Sequence, residues 1–558
     1  MRSFPAQRLL EFVDQEADYP RTRLIVFALI SGLCNGLLLA VINHSAGMVG
    51  QFSASGEGQM MYLAIYGVIL TLFVYTKKYT LDHAAILVEE VLCKVRMRIT
   101  DKIRHTELQF IENIGHGSIY NCLAQDTVQI SQSANVVFAS MQAAIMLLFA
   151  MGYIAWLTFD GFIVTVGALA LGVWVFGTKR KGIIRDLELA SKEEVRFFNT
   201  LQHTLAGFKE LKLNRKKSHD LYMHQYGIAK QVLRLKSQAG INAVFVMTFS
   251  QIFFYVLIAC ILFVWPFIES PAPSTIIKLT ASILFIIGPL ELLVGSLPLF
   301  LKADTAVNNI RELEAKLNMA TKGLAVGEPP EHPRLNFQRI QFRDVYFEYA
   351  DIEGGGMQFK VGPLNLQLRR GEIVFVVGGN GSGKSTLLKL LTGLYYPLNG
   401  SIEVNDEIID QDIYPDYREL FAIIFTDFHL FDRLYGIQRF DEGRIKSLLR
   451  IMGLASKTKF RDGAFTNTQL STGQRKRLAY INAVLEDKQI YIFDELAADQ
   501  DPAFRKNFYE VLLPELRAQD KTIIAVTHDD RYFWTADRVI KMDEGHLSEE
   551  IPPPRVSQ

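Results

Sequence analysis

The chain has 558 residues, enough for several domains, and its 59 basic and 59 acidic side chains cancel to zero net charge. No global field therefore points to nucleic acid as a partner. With 49% hydrophobic residues and a positive mean hydropathy, part of the chain belongs in lipid, which argues against a wholly water-soluble protein.

Cys34, Cys93, Cys122 and Cys260 are scattered without CxxC or metal spacing, so no disulfide framework or oxidising compartment is implied. The N-terminal stretch "MRSFPAQRLLEFVDQEADYPRTR" mixes acidic and basic residues and has no apolar centre. It reads as neither a cleavable signal peptide nor a peptidase domain.

Apolar stretches of membrane length begin at Leu24, Met60, Asn135, Phe162, Ile241 and Ile276. Most run about 17 to 26 residues, the range that crosses the hydrocarbon core as a helix. The shortest is "FIVTVGALALGVWVFG". Loops 45–59, 157–161 and 267–275 contain no Lys or Arg, whereas the flanks "RTR", "TKK" and "TKRKGIIR" are basic. That asymmetry places both termini in the cytoplasm. Lys278, near an outer end, is close enough to the interface to snorkel. Gly32-x-x-x-Gly36 offers a close-packing face, but such spacing is common by chance.

Residues 78–134 and 179–240 are charged, free of proline and mostly helical in pattern. Two arms of ~28 residues would reach roughly 40 Å into the cytoplasm. Their bridges are expected near "ENIGHGSIY" and "TLAGFKELK". In the sixth span, Glu291 follows Gly288-Pro289. An ionisable group there is costly in lipid and should face a cavity or a partner. Two readings stand: a cargo or cation contact, or a hydrated cavity wall without selectivity.

These features set the expected domains: a six-span membrane domain at 1–317, a Gly/Pro-rich linker at 318–334, an α/β domain at 335–550 and a tail at 551–558. In the α/β part, "EIVFVVGGNGSGKSTLLKLLTGL" supplies a strand, then GxxxxGK[ST] from Gly378 to Ser385, then an amphipathic helix. Backbone N–H groups of such a loop close around phosphates, and the helix N-terminus adds positive potential. Asn380, Gly381, Ser382, Gly383 and Thr386 complete the cradle. Lys384 is expected on the β- and γ-phosphates of ATP, and the Ser385 hydroxyl on Mg²⁺. "QIYIFDE" ends a second apolar strand in two acids, Asp494 for the Mg²⁺ shell and Glu495 to polarise the attacking water. A third, "KTIIAVTHDD", ends in His528, at the strand ends that carry the ligand crevice.

"QLSTGQRKRLAYINAVL" alone reads as a helix cap followed by a solvated basic turn. Beside the other motifs, "LSTGQ" resembles the signature of ABC transporters, and "DELAADQDP", with Asp499 and Asp501, resembles their D-loop. Tyr349 in "VYFEYA" resembles the aromatic residue that stacks on adenine. The likeness runs in family order over about 200 residues. It implies an exporter-type helical membrane domain fused to a P-loop ATPase. It also implies that Ser471, Thr472, Gly473 and Gln474 contact ATP held by a second subunit. A homodimer in the bilayer follows, with an unequal partner chain as the alternative.

The stretches "GFKELKLN", "FTDFHLFD", "STGQRKRLAY", "DELAADQDP" and "THDDRYF" together resemble the bacterial cyclic-peptide exporter branch of ABC half-transporters, across essentially the whole chain. The resemblance implies export of a siderophore-like, lipopeptide or microcin-type peptide from the cytoplasm across the inner membrane. A lipid or multidrug flippase and a non-pumping ATP-regulated membrane protein remain alternatives, as does an importer built on the exporter fold. One departure stands out. Thr426 and Asp427 occupy the place where the family ordinarily has a glutamine that joins the Mg²⁺ shell. Thr426 can still accept or ligate through a bridging water, and Asp427 brings a stronger charge. Ser or Thr at this place is itself part of the resemblance to the peptide-exporter branch.

Overall fold

The computed structural model describes residues 11–12, 15–16, 21–48, 57–114, 116–269, 272–320, 335–349, 359–410, 412–437 and 439–551. Most of the expected linker and of the C-terminal tail lies outside them. The chain divides into two compact units, residues 1–102 with 115–317, and residues 103–114 with 318–558.

Among the described residues, the first unit contains six helices apolar and long enough to cross a bilayer: α1 (Arg21–Met48), α2 (Glu57–Arg104), α3 (Thr127–Leu157), α4 (Phe159–Ala206), α5 (Arg215–Ala259) and α6 (Pro273–Ala320). At 48 residues, α2, α4 and α6 measure about 72 Å, more than twice a hydrocarbon core of about 30 Å. Their polar halves are the expected arms. The turn from α3 to α4 is made by one residue, Thr158, whose extended backbone (φ −155°, ψ 127°) breaks the helix between the two.

Helices in lipid gain little from the hydrophobic effect on meeting, so close approach and polar contacts hold them. Gly32 and Gly36 of α1 face α3. A Cβ on Gly32 would lie 2.8 Å from Ile145 Cγ2, and one on Gly36 would lie 2.2 Å from Phe149 Cδ1. The glycine pair is therefore a genuine packing face, more than its bare spacing could establish. Asn43 of α1 donates to Ser282 Oγ of α6 at 3.0 Å. Arg98 of α2 binds Glu16 and Glu314, each at 2.7 Å. Pro289 and Pro298 lie inside α6, where each removes a backbone donor.

The second bridge falls where the sequence suggested. Gly207 ends α4, the short helix Phe208–Leu213 follows, and the Asn214 side chain caps α5 by accepting from the Lys217 N–H at 3.0 Å. The first bridge comes earlier than expected. Helix α2 stops at Arg104, and a short helix, Leu108–Ile114, precedes most of "ENIGHGSIY". Tight-turn bonds, Thr106 N–H to Ile103 O and Phe110 N–H to Glu107 O (both 3.1 Å), replace the helical ladder there. Leu108 then packs against the second unit's core, a tertiary cause with no local sequence signal.

That unit contains strands β1 (Arg339–Glu348), β2 (Lys360–Arg369), β3 (Ile373–Val377), β4 (Asn399–Val404), β5 (Glu407–Ile408) and β6 (Phe421–Ile424). After them come β7 (Phe460–Arg461), β8 (Ala464–Phe465), β9 (Ile490–Asp494), β10 (Thr522–Val526), β11 (Arg538–Asp543) and β12 (His546–Ile551). An antiparallel sheet has the order β2-β1-β4-β5, and a larger sheet the order β12-β11-β3-β10-β9-β6. In the larger sheet β11, β3, β10, β9 and β6 run parallel.

Both faces of the parallel strands are covered, which explains their unbroken apolar sequence. Phe375, Tyr491 and Phe493 enter one core, and Val374, Val376, Ile490 and Ile492 enter the other. Register aligns the strand ends, with Val526 opposite both Val376 and Asp494 and with Ile424 opposite Phe493. The loops leaving β3, β6, β9 and β10 therefore open at one edge.

Candidate ATP site

Strand β3 feeds the glycine loop, and helix α7 (Lys384–Leu391) leaves it. Gly378 adopts φ +153°, and a Cβ there would lie 2.3 Å from the Met542 carbonyl oxygen, so only glycine fits. Lys384 is buried and donates to the carbonyls of Gly378 and Gly379, at 2.9 and 2.8 Å. Its ammonium thus closes its own loop. Ser382 Oγ is buried without a hydrogen-bond partner. An orphaned hydroxyl in a glycine-rich loop beside a buried ammonium fits an anionic ligand such as a phosphate. Gly379, Asn380, Gly381 and Ser385 are exposed at the same loop. Tyr349 is anchored by its hydroxyl, 3.0 Å from Thr386 Oγ1, and by edge contacts with Phe347 and Tyr395.

Asp494 is buried at the end of β9. Burial, then the neighbouring Glu495 charge, raises its carboxyl above the ordinary range; Asp427 adds to this, while the Thr426 backbone N–H and Lys384 oppose it. Crowded by the Glu495 and Asp427 charges and opposed by Lys384, this buried carboxylate has the chemistry to share a divalent cation, as has the exposed Ser385 hydroxyl. Glu495 holds a left-handed backbone, φ +51°, rare for a residue with a side chain. Its carboxylate lies 3.2 Å from His528 Nε2. Thr527 fixes the histidine loop by meeting the Tyr509 hydroxyl at 2.7 Å and accepting from the Asp529 N–H at 3.0 Å.

Thr426 and Asp427 border a cavity of about 430 Å³ whose walls also include Thr472, Arg475, Glu495 and Asp499. Thr426 and Asp427 are thus brought beside Glu495 and within electrostatic reach of Asp494. Arg475 stacks over Phe428, 5.6 Å from the ring centroid, spanning from the 426–428 turn to helix α8 (Thr472–Leu485).

Ser471 caps α8 in a capping box, with Gln474 reciprocating. The helix-cap reading of "STGQ" is therefore structurally true. Gly473 is tied to the 495–501 turn through Gln500, whose side-chain N–H donates to its carbonyl at 2.9 Å. Among the described residues no hydrogen bond joins 471–474 to the 378–386 loop. Ser471 and Thr472 stay exposed.

The basic residues after them are not a solvated turn. Lys476 is buried, bound to the Glu495 carbonyl and the Asp499 carboxylate, and Arg477 binds Gln500 and Asp501 while lying 4.3 Å over the Phe504 ring. The sequence reading missed Lys476, Arg477 and Gln500. One signal was available: Lys476 falls in line with Ala479, Tyr480 and Ala483, the buried stripe of α8. Glu291, in the other unit, accepts a hydrogen bond from Gln251 Nε2.

Comparison with known proteins agrees with this geometry. Residues 361–498 match the family model described as ABC transporter. The chain is similar to the ATP-binding protein SyrD of Pseudomonas syringae pv. syringae, 30% identical over 556 residues, covering 95% of this chain and 94% of that one. It is 24% identical over 540 residues to the ATP-dependent lipid A-core flippase of Burkholderia orbicola (strain AU 1054), covering 92% and 86%. In fold it resembles a bacterial Atm1-family ABC exporter solved with ATP bound, at TM-score 0.75 and 17% identity, covering 95% of both chains.

Proposed function

The chain belongs to the ABC transporter family and couples ATP hydrolysis to transport across a membrane; on that premise we propose that it exports a modified or cyclic peptide as a homodimer. One observation carries the ATPase half of this reading. The Glu495 carboxylate stands 3.2 Å from His528, beside buried Asp494 and at the edge where the glycine loop opens.

In the proposed mechanism, Lys384 releases the Gly378 and Gly379 carbonyls and binds phosphate oxygens, assisted by the loop N–H groups. Ser385 and Asp494 would hold Mg²⁺, which when bound neutralises phosphate charge. Glu495 orients a water and takes its proton, while His528 keeps that carboxylate in place and meets the γ-phosphate. Phosphoryl transfer depends chiefly on such positioning and charge neutralisation. Exposed Ser471 and Thr472, unengaged by their own glycine loop, suit an ATP molecule held by a second copy. Closure of two copies on shared ATP would then alter access across the twelve helices, and hydrolysis would release it. Both termini would lie in the cytoplasm, with the chain in the inner membrane.

The peptide reading rests on motif resemblance and on end-to-end similarity to SyrD. A lipid cargo is the second reading, favoured by the similarity to lipid A-core flippase. The ATPase half is tested by Glu495→Gln in purified protein. Hydrolysis should fall by about 10² or more while nucleotide binding persists, and wild-type turnover in that variant contradicts the proposal.

A further inference from the structure

Lys476 projects from α8 into the protein, with its side chain only 6% exposed. A buried ammonium is costly unless charges or dipoles meet it. It has two partners, the Asp499 carboxylate at 2.7 Å and the main-chain carbonyl of Glu495 at 2.9 Å. The second is the informative one. Glu495 has the left-handed backbone, and the peptide held by Lys476 is the one that follows it. Fixing that peptide fixes the direction in which the Glu495 side chain leaves the strand, toward His528.

A second set of bonds reinforces this grip. Arg477 donates to Gln500 Oε1 at 2.9 Å and binds Asp501, while Gln500 returns a bond to the Gly473 carbonyl. Helix α8 cannot shift without carrying the turn from Glu495 to Asp501 with it. Its exposed N-terminus holds Ser471 and Thr472, the residues assigned to a second copy's nucleotide.

We infer that Lys476 is a positioning residue for hydrolysis, holding the Glu495 peptide so that the carboxylate is aimed at water only while α8 is seated. The inference rests on the proposed role of Glu495. It makes engagement of α8 at one ATP site a condition for the base at the other. Asp499 is 58% exposed on its side chain, so losing the ammonium leaves it hydrated rather than stranded. Neutral replacement should therefore disturb the aim of Glu495 more than the fold.

The test uses the full-length protein in lipid nanodiscs and compares Lys476→Met, Lys476→Arg and Glu495→Gln. In Lys476→Met, kcat should fall roughly tenfold to a hundredfold, short of the loss from removing the base itself. Its KM for ATP and its unfolding temperature should stay close to wild type, and Lys476→Arg should recover most of the rate. Wild-type kcat in Lys476→Met beside an inactive Glu495→Gln overturns the inference alone. A parallel loss of kcat, ATP affinity and thermal stability, without rescue by arginine, also overturns it by making Lys476 a packing residue. Wild-type turnover in Glu495→Gln removes the role of Glu495 and this inference with it.

Discussion

The Tyr395 hydroxyl donates a 2.6 Å hydrogen bond to the carboxylate of Glu112, and Lys389 reaches the same carboxylate at 2.9 Å. Glu112 belongs to the short helix Leu108–Ile114 that follows α2. Tyr395 touches Tyr349, the proposed adenine platform, and Lys389 lies in α7, the helix that begins with the phosphate lysine. Within the second unit, this short helix is thus bonded to two residues next to the proposed nucleotide site.

The wiring has a pH signature. Burial pushes the Glu112 carboxyl up, but hydrogen bonds from Tyr395 and Lys389 and the Lys389 charge outweigh it, leaving it below the ordinary carboxylate range. A carboxyl depressed on folding stabilises above its unfolded value of about 4.3 and loses that contribution as pH falls through the folded one. Because the Glu112 side chain is 40% exposed, solvent screening should hold the effect below about 1 kcal/mol. At neutral pH, amide exchange in residues 108–114 should be faster in Glu112→Gln than in wild type. The difference should close in acid; equal exchange at neutral pH would show that the carboxylate does not hold the helix.

The glycine pair of α1 predicts a steric effect. Gly36→Leu would drive a side chain into the Phe149 ring and should cost about 1–3 kcal/mol, as overpacking typically does. Thermal unfolding in detergent should report a lower midpoint, with much of the loss recovered when Phe149→Ala is added. An unchanged midpoint in Gly36→Leu would mean that α1 and α3 are not packed this closely.

Asp427 stands near Asp494 and Glu495, next to Thr426 at the place where the resemblance leads one to expect a glutamine. Its charge should strengthen Mg²⁺ retention, so Asp427→Asn should raise the Mg²⁺ concentration needed for half-maximal hydrolysis several-fold, a shift of order 1 kcal/mol. Thr426→Ala should have a smaller effect of the same sign. If both variants keep wild-type Mg²⁺ dependence and cargo stimulation, the 426–427 turn takes no part in the cation site.

Much of this was legible in the sequence, and the exceptions share a cause. Strand, glycine loop and helix around Gly378–Ser385 follow from local chemistry, because each conformation has its own residue requirement. The long helices declared themselves by apolar runs longer than any soluble core requires. Leu108–Ile114 was misjudged because its position depends on what Leu108 and Glu112 touch, far away in the chain. Lys476 was missed for the same reason. A lysine in a basic run looks solvated until a distant turn brings a carbonyl and a carboxylate to it. Glu291 stands out in the sequence as an ionisable group within a span, and its partner Gln251 is found only once α5 and α6 are set side by side. If Glu291 contacts cargo, Glu291→Gln should change which peptides are transported, whereas equal transport across several peptides would leave it a structural partner of Gln251.

ATP-driven movement of peptide is read in a vesicle transport experiment. Inside-out proteoliposomes containing the purified protein are given ATP, Mg²⁺ and a labelled cyclic lipopeptide, with Glu495→Gln vesicles alongside. Peptide should accumulate only with ATP, hydrolysis should rise with peptide concentration, and the variant should show neither. Movement of a lipid A-core substrate with no peptide uptake or peptide-stimulated hydrolysis would contradict peptide export.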